Sequence, residues 1–223
     1  MNQQYSTVAR RATSVLETNK VLRNTYMLLA MTLLFSAFTA AVSMFLKMPP
    51  MTYLISVIGA MVIAMFILPR FANSTAGIGI VFLVTGLLGF GLGPILSLYA
   101  ALPNGSNIIT MSLAGTGVIF IGLSAYALIS KKDFSFLGGF LMVGFLMVLL
   151  AAIANIFLQI PAMSLAISAV VIMIMSGFIL YDTSRIVQGG ETNYVLATIG
   201  LYMTIFNIFV SLLQILGIMG NDD

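Results

Sequence analysis

Residues 135–182 read SFLGGFLMVGFLMVLLAAIANIFLQIPAMSLAISAVVIMIMSGFILYD, with no Asp, Glu, Lys or Arg before Asp182. A helix crosses the hydrocarbon of a bilayer in about 20 residues, so this run is far too long for a single crossing. Gln159 and Pro161 break it near the middle and predict a hairpin of two spans, about 135–159 and 162–182. Working outward, apolar runs at about 25–46, 51–68, 77–101 and 107–130 precede the hairpin, and one at about 195–219 follows it. The runs end at Lys47 with Pro49 and Pro50, at Pro69-Arg70, at Pro103-Asn104-Gly105, at Lys131-Lys132-Asp133 and in the polar stretch from Thr183 to Asn193. The expected fold is an all-α integral membrane protein with seven transmembrane helices.

Composition supports that reading. The 223 residues are 61% hydrophobic and 7% charged, with mean hydropathy +1.13. Soluble domains carry roughly 25% charged residues to keep their surfaces wet. Lipid must therefore solvate most of this chain. Seven spans with the N-terminus in the cytoplasm place Arg10, Arg11, Lys20, Arg23, Arg70, Lys131, Lys132 and Arg185 on one side and Lys47 alone on the other. That asymmetry follows the positive-inside rule and predicts N-terminus in, C-terminus out. It also accounts for the pI near 9.3 without a nucleic-acid partner. The predicted layout is a cytoplasmic tail, 1–24, a bundle, 25–219, and a short C-terminal tail, 220–223. Ser14 and Glu17 have capping-box spacing, which predicts a short interfacial helix within the tail, with disorder ahead of Ser14.

With no cysteine and no histidine, disulfides, thiolate metal sites and histidine general bases are excluded. Ionisable residues within spans are the natural site candidates, because they are costly in lipid. Asp182 alone among the acids falls on a span; Glu17, Asp133, Glu191, Asp222 and Asp223 fall in tails or loops. Asp182 either pairs with Arg185 one turn later or forms a proton- or cation-sensitive latch at the cytoplasmic end of the sixth span. Intramembrane aspartyl proteolysis needs a second carboxylate in the membrane, and the spans hold none, so catalysis is not expected. No cofactor or metal site is expected either. Asn155, Asn207 and Gln214 are expected to hydrogen-bond neighbouring helices. Asn207, Ser211 and Gln214 share one face of the seventh span, a polar stripe that predicts a helix surrounded by protein. Gly89 and Gly93 form a G-x-x-x-G pair for close helix approach, and Gly93-Pro94 predicts a kink.

Several strings in order resemble the Bax inhibitor-1 (TMBIM) family over nearly the whole chain. They are Gly93-Pro94-Ile95-Leu96, Tyr181-Asp182-Thr183 and Leu201-Tyr202-Met203-Thr204-Ile205-Phe206-Asn207-Ile208-Phe209. The strings 20–26, 133–139, 154–159 and 189–194 are similar to the family's bacterial inner-membrane branch, which includes a modulator of the membrane AAA protease FtsH. The resemblance implies a bundle whose last helix is central and enclosed by the other six. It also implies a role as modulator or competing client of an FtsH-type protease in the bacterial inner membrane. Some relatives conduct calcium in a pH-sensitive way through an aspartate pair between the sixth and seventh helices. Asp182 matches the first of that pair, and Thr204 stands where the second would be. A hydroxyl supplies no second negative charge, which ranks the modulator above the calcium leak; a non-transporting scaffold is the third reading.

Overall fold

The computed structural model describes residues 18–220. The expectations for the earlier residues, the Ser14–Glu17 capping pair and disorder ahead of it, lie outside them. Seven helices are long and apolar enough to cross a membrane: α1 (Thr18–Phe45), α2 (Met51–Phe71), α3 (Thr75–Ala100), α4 (Gly105–Ser130), α5 (Leu137–Leu158), α6 (Pro161–Val187) and α7 (Tyr194–Met219). There is no strand among the described residues. Lipid-facing backbone must satisfy its own hydrogen bonds, which an α-helix does within itself.

Three boundaries differ from the sequence reading. α1 is already helical at Thr18 and runs unbroken to Phe45, so the first apolar helix begins ahead of the expected start near residue 25. Pro69 does not end α2: the turn Ile63–Ile67 widens to π geometry and the α-helix resumes over Leu68–Phe71. A proline ring crowds the preceding turn and removes one donor, and the wider turn accommodates both effects. α6 continues past residue 182 to Val187, which places Asp182 and Arg185 on one rigid element.

The α5–α6 hairpin closes as its sequence suggests. Gln159 takes the left-handed conformation at φ +52° and its N–H donates to the Asn155 carbonyl at 2.8 Å. The Asn155 side chain accepts from Ile160 N at 3.1 Å and donates to Ser164 Oγ at 2.7 Å, while Pro161 opens α6. Asn155 thus bridges α5 and α6 and fastens the turn. α3 runs across Pro94 without interruption, although Pro94 leaves the Phe90 carbonyl without its usual donor.

α7 sits at the centre. Leu201 and Ile208 are inaccessible, and Tyr202 and Leu213 are 1% exposed. Its main packing partners are α6, α4, α1 and α3. α2 packs chiefly on α3, and α5 on α6. The last helix is therefore central, but four helices rather than six form its immediate wall. α5 is the outermost, with Leu141 its one buried residue. Its exposed Phe140, Leu146, Leu150 and Phe157 are the surface a helix offers to lipid.

Candidate functional site

Asp182, Arg185 and Ile186 of α6 face Glu191 in the α6–α7 turn and Leu196, Ala197 and Gly200 of α7 across a cavity of about 100 Å³. Gly189 makes the turn possible with φ +75°, a conformation costly for any residue with a Cβ. The N–H groups of Gly190 and Glu191 then both donate to the Arg185 carbonyl, at 2.8 and 3.1 Å. This fold-back carries the Glu191 carboxylate onto the Arg185 guanidinium, 3.6 Å away. The guanidinium also donates to the Gly190 carbonyl and lies over the Tyr181 ring, 5.5 Å from its centre.

Of the two readings of Asp182, the pairing with Arg185 is not the one formed: among the described residues, the ion pair of Arg185 is with Glu191. Asp182 packs instead over Gly200, where an added Cβ would stand 3.4 Å from its Oδ2. Thr204 does not reach this cavity. Its hydroxyl donates to the Gly200 carbonyl at 3.1 Å, the back-bond a threonine makes to its own helix. The acid that shares the cavity with Asp182 is Glu191, which sequence reading placed in a loop outside the site. The Gly189-Gly190 pair was the available signal, because it permits the turn that folds Glu191 back.

Neighbouring loops brace the site. Gln188 donates to the Lys131 carbonyl at 2.7 Å, and Phe134 N donates to Ser184 Oγ at 3.2 Å, joining the α4–α5 loop to the end of α6. Asn193 caps α7 by accepting from Val195 N and Leu196 N, and its amide donates to Ala72 O and Asn73 Oδ1 at the α2–α3 turn.

The polar stripe separates into different roles. Gln214 accepts from Ser168 Oγ of α6 at 2.8 Å, the interhelical bond expected of it. Asn207 instead donates to its own helix at Met203 O, 2.8 Å, and Ser211 is buried. Two polar links escaped sequence reading. Ser36 of α1 bonds the Tyr202 hydroxyl at 2.5 Å, and that hydroxyl donates to the Thr85 carbonyl of α3 at 3.3 Å. Tyr26, Ser124 and Thr183 form a second hydroxyl cluster joining α1, α4 and α6. Serine, threonine and tyrosine carry no charge to mark them as site residues, and only their helical register betrays an inward face. Gly93 meets Ser43 of α1, so the Gly93-Pro94 element serves close packing.

A bundle of seven apolar helices with the last one buried at its centre, and with carboxylates and a guanidinium gathered at one end, defines a polytopic membrane protein whose polar centre lies between α6 and α7. The family described as inhibitor of apoptosis-promoting Bax1 matches residues 18–221. The chain belongs to this Bax inhibitor-1 family. It is 52% identical to the modulator of FtsH protease YccA of Escherichia coli K12 over 94% of this chain and 95% of that protein. It is 51% identical to an uncharacterized membrane protein of Vibrio cholerae, over 93% of each. An uncharacterized protein of Pseudomonas aeruginosa is 47% identical, again over 93% of each.

Proposed function

We propose that this chain is a bacterial inner-membrane regulatory protein that modulates a membrane AAA protease of the FtsH type, acting as a slowly processed, competing client without catalysis of its own. The observation that carries this reading is the 52% identity, across almost the full length of both chains, to a protein named a modulator of FtsH protease. The proposed topology has the N-terminus in the cytoplasm and the C-terminus outside. Lys20, Arg23, Arg70, Lys131, Lys132 and Arg185 lie at helix ends or loops that alternate onto one side, with Lys47 on the other. In this arrangement residues 1–24 are the cytoplasmic tail, of which 1 to about 20 form the handle a motor grips, 25–219 the bundle it must unravel, and 220–223 a short tail.

Mild-detergent purification from native membranes, read by mass spectrometry, should recover the protease with this chain. Removing residues 2–12 should change the turnover of the chain or its inhibition of the protease. A truncated chain that is degraded and inhibits as the full one does would refute the handle.

A pH-sensitive calcium or cation leak is the second reading. It is favoured by one observation, that Asp182 and Glu191 share a cavity beside α7. Against it stands Thr204, turned to its own backbone.

A further inference from the structure

Three glycines of α3 are notches for α1. A Cβ on Gly86 would come to 2.7 Å from the Phe35 ring. One on Gly89 would strike the Ser36 carbonyl and the Thr39 hydroxyl, and one on Gly93 would strike Ser43 and approach Met44 N to 2.9 Å. The pairs advance in the same direction along both helices, so α1 and α3 are parallel. On α4, by contrast, nothing lies within 4 Å of a Cβ added at Gly117 or Gly122. Other tight glycines serve other pairs of helices, Gly177 meeting Leu141 of α5 and Gly217 meeting Tyr99 of α3, so Gly86, Gly89 and Gly93 are the notches that face α1. α1 presents Thr25, Leu29, Thr32, Ser36, Ala40 and Ser43, all buried and spaced three or four apart, as one continuous face. The Ser36–Tyr202 hydrogen bond ties the same face to α7.

We propose that this notched seam between α1 and α3 sets how strongly the chain resists extraction by its N-terminus, and thereby how long it occupies the protease; the second clause rests on the function proposed above. In lipid no hydrophobic force draws helices together, so packing and interhelical hydrogen bonds hold them. A motor that grips the tail reaches α1 before any other helix. Its pull along the axis loads two parallel helices in shear. Sliding α1 by one residue, about 1.5 Å, carries Phe35, Ser36 and Ser43 out of their notches together. The contacts therefore yield as a group, and the seam acts as a brake at the first step of extraction.

The test uses the full chain in lipid bicelles, held in optical tweezers by its two ends, alongside turnover by a reconstituted FtsH-type protease. Gly89→Val intrudes on the seam, and Gly122→Val is the control. The lifetime of the folded bundle under constant force should shorten about tenfold or more in Gly89→Val and stay unchanged in the control, with degradation accelerated in parallel. Phe35→Ala adds no bulk and takes the ring out of the Gly86 notch, so it carries the comparison should Gly89→Val not fold; it should shorten the lifetime by a smaller factor. Lifetimes equal to that of the unaltered chain in these variants overturn the seam. A shortened lifetime with unchanged protease turnover leaves the seam standing and overturns the modulator reading.

Discussion

Asp182 is a carboxylate inside a span whose nearest cation is committed elsewhere, to Glu191 at 3.6 Å. It packs over Gly200, where a Cβ would make ordinary van der Waals contact with Oδ2 at 3.4 Å. A side chain so placed is either a packed structural acid or a participant in ion passage, and liposomes loaded with a calcium-sensitive dye separate the two. The modulator reading expects the calcium gradient to persist at every pH, with Asp182→Asn changing nothing. A flux that the unaltered protein supports and Asp182→Asn abolishes would transfer the site to cation passage. Thr204→Asp would not rebuild an acidic pair by charge alone, because position 204 lies outside the cavity that Asp182 and Glu191 line.

The helices were legible from apolar run length, because lipid imposes that length directly. The α5–α6 hairpin could be read from Gln159 and Pro161 for the same reason, and α7 from its polar stripe. What escaped was set by local geometry: the π turn that carries α2 past Pro69, and the fold-back that brings Glu191 to Arg185. Neither changes the hydropathy of its segment; Pro69 and the Gly189-Gly190 pair mark the two places without specifying the geometry adopted there. Asn193 is another such case. Its side chain accepts from two N–H groups at the start of α7 while donating to the α2–α3 turn. Asn193→Ala should cost about 1 kcal/mol through the lost cap, and more through the lost tie. Hydrogen exchange should show it as faster exchange confined to the amides of Val195 and Leu196; protection unchanged at those amides would contradict the capping role.

For the whole molecule, the absence of cysteine makes topology directly measurable, because each introduced thiol is unique. Lys132→Cys in intact cells should be shielded from a membrane-impermeant maleimide, and Lys47→Cys should be labelled. The reverse pattern would invert the bundle and place the tail beyond the reach of a cytoplasmic motor. The central position of α7 has a consequence for biogenesis. The ribosome makes this helix after the six that surround or flank it, so those six enter the bilayer around a missing keystone. Until α7 arrives, Ser36, Thr85 and Ser168 lack the Tyr202 and Gln214 partners they have in the finished bundle. On the function proposed above, the nascent protein would be the easier one to dismantle, and the interhelical bonds of the finished bundle exist only once its last span has inserted.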